Sequence, residues 1–435
     1  MENETGPSTL TTRVWTASAS HVRQPLALVL SDDLFTDLNK LTTHRCKAAL
    51  SFAGKYRVID FALSNCVNSG VDTIGVITQY QPRSLHDHLA YGRPWDLDRR
   101  SGGLTLLHPY QARTGMGWYA GSADAIYQNQ DFILRQKADQ TFILSGTEIY
   151  TLDLDTLSAQ HRKAKADLTI AAVTREDAHT EYHQQLAIDR DGRVLSVAPP
   201  GSASPGLLAM MGVMVFSTDV LNWRLSEDAE RASSTHDLIR DVIPAMIQAG
   251  DRVMAFQYTG YWNGLQSVQE YWQANMDLLS YRSLLNLQDT SWPIHTKLET
   301  RPPTRVSIGA RVSHSLLSEG CVVDGTVEYT VLSPGVYVAP GAVVRNAVVM
   351  HDVTIEERAT IENAILDKEV SVGPQAHVGR IRRHAPTLSN HKPSELVVVE
   401  QGTHIAAHER VAPAESDSLN GDWALVAHRS ENARP

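Results

Sequence analysis

The chain has 435 residues, a formal net charge of -10, 20% charged residues and a mean hydropathy of -0.24. That length is too great for one core and fits two domains, and the negative balance argues against a general nucleic-acid binder or a lipid-surface binder. Three widely spaced cysteines (Cys46, Cys66, Cys321) exclude a disulfide framework or a zinc knuckle, and no apolar run approaches the roughly 20 residues that cross a bilayer, so a reducing cytoplasm is the expected compartment.

Residues 1–24 are rich in Ser and Thr, but Glu2 and Glu4 and the lack of a basic stretch before an apolar core favour a disordered tail over a transit peptide or secretory signal. Gln24-Pro25 leads into Leu26–Leu30, a short unbroken apolar run of the kind a buried parallel strand shows. Similar runs follow at 73–78, 141–145, 167–174 and 211–216. Helical spacing predicts helices over 123–137 and over 237–249, the latter capped by Ser234 or Thr235. Residues 186–197 read as a hairpin turning at Asp191-Gly192. Strands alternating with helices predict a doubly wound α/β sheet over 25–290.

After a linker at 291–306 the texture changes. Apolar positions recur every six residues (Val338, Val344, Met350; Ile355, Ile361; Val372, Val378), with corners at Pro334-Gly335, Pro340-Gly341 and Gly373-Pro374. That period predicts a parallel β-helix over 307–408, stacking coil on coil. Residues 396–399 and 402–405 read as its closing strand, and 409–435 as a flexible tail.

The loop after the first strand carries Asp32, Asp33 and Asp37 and no glycine. Like charges a few Å apart repel by several kcal/mol at an effective dielectric near ~20, so this loop should reject phosphates. The alternative is that the aspartates bind a metal by themselves.

The stretch 47–70 (KAALSFAGKYRVIDFALSNCVNSG), with 77–81 (ITQYQ), 92–99 (GRPWDLDR), 118–128 (WYAGSADAIYQ) and 291–296 (SWPIHT), strongly resembles the glucose-1-phosphate adenylyltransferase (ADP-glucose pyrophosphorylase) family, bacterial type. The likeness runs from about Pro25 to Ile405. It implies an α/β nucleotidyltransferase-like domain (Rossmann-type, with a doubly wound mixed sheet) followed by a left-handed β-helix of hexapeptide repeats. It also implies a tetramer that condenses ATP with glucose 1-phosphate and is controlled by sugar phosphates bound between the two domains.

Such chemistry needs a glycine-rich turn for the triphosphate, carboxylates for Mg²⁺ and cations for developing phosphate charge. By the resemblance, the family's loop arginines fall on Leu34 and Asp37, and its metal aspartates on Thr147 and Gly264. Its sugar-phosphate lysine falls on Pro199 and a further arginine on Ala120. Glu148 could rescue the metal, but an extended segment would turn it to the opposite face from Thr147.

Other positions are kept. Lys47 matches a phosphate-contacting lysine, or is a solvated surface charge. Tyr119, Gly121, Ser122, Asp124, Gln128 and Gly212 match substrate-site positions, although a structural turn and helix start would explain the loop equally. His236 and Asp237 are site candidates or a simple helix cap. Gln79 and Trp118 match effector relays, and packing alone would explain Trp118 equally well. His44 replaces an activator-binding lysine, Arg45 adjoins it, and Arg380, Arg382 and Arg383 either meet effector phosphates or end a solvated strand.

With scaffold stretches kept and chemistry positions replaced, the expected role is a catalytically deficient regulatory subunit that pairs with a catalytic paralogue in a homo- or hetero-tetramer. No metal or cofactor is expected for the chain itself, with Mg²⁺ required only if activity is retained. The alternatives are an active or weakly active adenylyltransferase and a sugar-phosphate-binding scaffold.

Overall fold

The computed structural model describes residues 24–31, 38, 40–109, 118–174, 182–202, 206–280, 283–379 and 396–412. In chain order the first domain contributes β1 (Leu26–Leu30), the antiparallel pair β2 (Ser51–Phe52) and β3 (Tyr56–Arg57), α1 (Ile59–Asn68), β4 (Thr73–Ile77), α2 (Arg83–Leu89) and β5 (Gly103–Leu107). Then come α3 (Ser122–Tyr127), α4 (Gln130–Gln136), β6 (Gln140–Ser145), β7 (Ile149–Tyr150), α5 (Leu154–Ala164) and β8 (Leu168–Val173). The hairpin β9 (Gln185–Ile188) and β10 (Val194–Ala198), β11 (Leu208–Ser217), α6 (Thr218–Ala229), α7 (Ile243–Ala249), β12 (Val253–Tyr258), β13 (Trp262–Asn263) and α8 (Val268–Asp277) complete it.

Nine strands form one mixed sheet in the order β10-β9-β11-β6-β1-β4-β5, with β8 joining β11 to β12. β1 pairs in parallel with β4 and β6. The run at 211–216 belongs to β11, which is antiparallel to β6, β8 and β9 rather than parallel. An unbroken apolar run reports burial on both faces, and a central strand has that in either direction.

The helix read over 123–137 is two helices. Asn129 Nδ2 takes the Ala125 carbonyl at 2.8 Å and its own amide falls back to the Ile126 carbonyl, which breaks the ladder between α3 and α4. The helix over 237–249 opens with a π-type turn, Leu238–Val242, and its cap is Asp237 rather than Ser234 or Thr235. Asp237 receives the Ile239 and Arg240 amides at 2.9 Å, while Asp241 reaches back to the Asp237 and Thr235 amides. The hairpin turns as expected, with Gly192 at φ +80°.

From Arg305–Val306 to Arg410–Val411 short parallel strands stack into the left-handed β-helix. Val338, Ile355, Val372 and Ile405 lie on one ladder, and Val344, Ile361, Val378 and Val411 on another. Residues six apart therefore occupy successive sides of a coil rather than one stacked row. Met350 departs further, because it packs outside the β-helix core.

The third side of the coil is apolar on both faces. Leu332, Val349, Leu366 and Val399 fill the β-helix interior. Their neighbours Val331, Val348, Ile365 and Val398 pack with Leu50, Phe52, Tyr271 and Trp272 into a core shared by the two domains. Trp272 Nε1 donates to the Asn346 carbonyl at 3.0 Å. The predicted linker lies along α1, where Trp292 Nε1 donates to Asn65 Oδ1 and the His295 amide to Ser64 Oγ. Among the described residues no helix is long and apolar enough to cross a membrane.

Candidate functional site

Ligands of open α/β sheets gather at the carboxyl ends of the strands. Here that end opens into a cleft of about 520 Å³. β1, β4 and β6 deliver Leu30 and Ser31, Ile77 and Gln79, and Ser145, Thr147 and Glu148 to it, while β11 adds Met210, Met211, Gly212 and Met214.

Much of the wall is built by the side chains the resemblance singled out. Gln79 Oε1 receives the Tyr119 amide at 2.7 Å, and Tyr119 Oη receives Asn129 Nδ2 at 3.0 Å. Asp124 Oδ2 receives the Ala120 amide and Gln128 Nε2, both at 2.8 Å, so these residues make the turn that starts α3. Ser122 Oγ receives the Leu238 amide and donates to Asp237 at 3.1 Å. A Cβ at Gly121 would lie 2.3 Å from the His236 carbonyl oxygen, so only glycine lets those segments meet. His236 itself sits at φ +56° with Nδ1 3.0 Å from Asp228 Oδ2. Trp118 is 64% exposed, so packing does not explain it. Pro199 is exposed, and the neighbouring Pro200 lines the cleft. Leu34, Asp37 and the rest of the 32–37 loop lie outside the described residues.

The cleft floor differs from the sequence expectation in two ways. Lys47 is no surface charge: it is buried and donates to the Gly264 carbonyl at 3.0 Å. Glu148 is not turned away from the cleft, because 146–148 form a bend rather than a strand and strict alternation does not apply. Its carboxylate receives the Gly212 amide on both oxygens, at 3.0 and 3.1 Å, and Trp262 Nε1 at 2.8 Å. Burial raises the Glu148 carboxyl above the usual range, and the Trp262 and Gly212 hydrogen bonds work against that rise.

Magnesium asks for one or two carboxylates beside phosphate oxygens. Thr147 is engaged with Ser145 Oγ at 2.9 Å, Gly264 brings no donor, Glu148 is held by two N–H groups and Asp237 caps a helix. Among the described residues no group of three or more His, Cys, Asp or Glu could hold a metal ion. These residues do not fit the ion that the chemistry requires. Among the described residues Arg240 is the one Lys or Arg that lines the cleft, with Lys47 buried in its floor.

A second cavity, of about 680 Å³, lies between the domains. His44, Lys55, Arg57, Arg83, Lys297, Arg301 and His351 line it, with Asp87, Glu299, Glu319 and Glu369. Arg301 is forked onto Asp352 at 2.8 and 3.0 Å. Arg45, an effector or relay candidate, is a buried pin between domains: Nη2 meets Asp367 at 2.8 and 2.6 Å and Gln401 at 3.0 Å. Arg380, Arg382 and Arg383 lie outside the described residues.

Burial and neighbouring cations depress two basic groups here. Burial first, then Arg57 and Arg45, holds Lys368 down to about 7. Burial first, then Lys368, Arg57, Arg301 and Arg45, holds His351 down to about 2. The folded chain keeps His351 neutral where the unfolded chain takes up a proton near 6.5. The stability this contributes is therefore present above 6.5 and lost as pH falls from there toward 2. His351→Gln is expected to flatten the fall in unfolding free energy between pH 6.5 and 5, measured by urea denaturation; an unchanged slope would contradict this origin.

The motif reading missed His183, Trp262 and Glu270 in the cleft floor, and Arg57, Arg301 and His351 in the cavity. His183 sits in a stretch without a motif. The signal for the cavity was the pairing of apolar runs at 347–350, 364–366 and 396–399, which implied burial on both faces and hence a covering domain.

A mixed α/β sheet with its cleft at the strand ends, joined through a shared core to a hexapeptide β-helix, defines a nucleotidyltransferase-type protein. Residues 16–281 match the nucleotidyl transferase family and residues 304–403 the GlmU-like C-terminal hexapeptide family. The chain is 37% identical to the glucose-1-phosphate adenylyltransferase of Desulforamulus reducens, over 82% of this chain and 90% of that protein. It is 39% identical to the Clostridium perfringens (strain 13) enzyme over 77% and 85%, and 42% identical to the Halalkalibacterium halodurans enzyme over 69% and 79%. The chain belongs to the glucose-1-phosphate adenylyltransferase family.

Proposed function

We propose that this chain is a catalytically deficient, regulatory subunit of ADP-glucose synthesis, which tunes a catalytic paralogue inside a mixed tetramer. The observation that carries this is where the cations lie. Among the described residues, five Lys or Arg side chains line the interdomain cavity and one lines the cleft. A sugar-phosphate effector has partners between the domains, while the described lining of the cleft offers fewer to a nucleotide triphosphate and its metal. Contact with a partner needs the scaffold alone, and the scaffold is kept. Regulation then requires that this chain touch two states of the partner differently.

Co-expression with an intact paralogue tests this. A mixed oligomer is expected, with the partner's half-saturating effector concentration shifted by about 5- to 150-fold, the range of ordinary coupling energies. No mixed oligomer and no shift would favour the scaffold alternative.

A further inference from the structure

The cleft floor holds four buried ionisable side chains, Lys47, Glu148, His183 and Glu270, that are 3%, 7%, 5% and 2% exposed. Gly264 lies against one of them. A Cβ built there would fall 2.1 Å from His183 Cε1, with Nε2 and Nδ1 at 3.0 and 3.1 Å. No side chain fits at 264 while His183 keeps its place. The imidazole is itself held, 4.6 Å from the Trp262 ring and tilted 56° to it, with Nε2 at 3.8 Å from Glu270 Oε1. Trp262 passes its indole N–H to Glu148, and Lys47 anchors on the Gly264 carbonyl.

Two carboxylates this deep in protein need positive neighbours, because an unpaired buried charge is strongly destabilising. Within this cluster Lys47 supplies a positive charge, which favours the ionised form of Glu148 against the burial that raises its carboxyl. Volume and charge converge on the spot where the resemblance puts a metal carboxylate.

We propose that His183 holds the volume, and Lys47 the positive charge, that a divalent cation would bring to this cleft floor, so that the cleft folds without metal and His183 excludes a carboxylate at 264. The inference needs only the cleft geometry and holds whether or not the chain regulates a partner.

The test uses Mn²⁺ as the probe and the full chain throughout, reading binding by paramagnetic resonance and stability by thermal denaturation. The unaltered chain is expected to show no Mn²⁺ site that Glu148→Gln abolishes, and no metal-dependent rise in Tm. Thr147→Asp/Gly264→Asp should lower Tm and still fail to bind. Adding His183→Ala should open one site, with Mn²⁺ held about ten- to a hundredfold more tightly than in the double variant and Tm rising with Mn²⁺. A Glu148-dependent Mn²⁺ site in the unaltered chain, equal binding by double and triple variants, or a folded triple variant without a site would each overturn the proposal.

If the triple variant does not fold, the volume is tested alone. Gly264→Ala should lower Tm, because its Cβ meets the His183 ring, and adding His183→Ala should recover part of the loss. A Gly264→Ala chain as stable as the original would overturn the proposal.

Discussion

Given ATP, glucose 1-phosphate and Mg²⁺ by itself, the purified chain is expected to form ADP-glucose at least about 10³-fold more slowly than the glucose-1-phosphate adenylyltransferase of Clostridium perfringens. Removing one preorganised charge partner typically costs about 10²- to 10³-fold. By the resemblance, Thr147 and Gly264 fall at both metal-carboxylate positions, and Ala120 and Pro199 at two cation positions. The losses do not simply add, since groups that act as a unit fail together. Pyrophosphate release is the measurement, and a rate within tenfold of the relative's (a difference of about 1.4 kcal/mol in barrier) would contradict the expectation.

The largest stability effect is expected at the domain junction. Arg45 and Asp367 pair with their side chains 3% and 1% exposed, and Gln401 completes the contact. Truncating one partner leaves the other charge buried and uncompensated, which typically costs about 3–5 kcal/mol. Asp367→Ala should therefore lose that much in urea denaturation. Arg45→Met/Asp367→Leu should recover most of it, because a packed apolar pair avoids the desolvation of two ions. A loss below about 1 kcal/mol for Asp367→Ala would mean that water reaches the pair.

Much of the fold was legible because burial leaves a periodic trace. β1, β4, β6 and β8 follow from unbroken apolar runs, and the β-helix from its six-residue beat. The direction of β11 was not legible, since two-sided burial has no polarity. Nor was the break at Asn129, where a side chain competes for a backbone carbonyl that periodicity assigns to the helix. At the candidate site, the motifs that carry the resemblance drew attention to Thr147 and Gly264. The ring beside them could not be read, because His183 reaches Gly264 only through the fold. Lys47 reads in sequence as a phosphate contact or a surface charge, and in the structure it is a buried donor to a carbonyl.

The most direct measurement pairs this chain with a catalytic paralogue in two forms, one intact and one with its metal carboxylates replaced, and follows ADP-glucose formation by each mixed tetramer. Effector-dependent turnover by the first and none by the second is the expected result. Turnover sustained by the second tetramer would place the chemistry in this chain and contradict its assignment as a regulatory subunit.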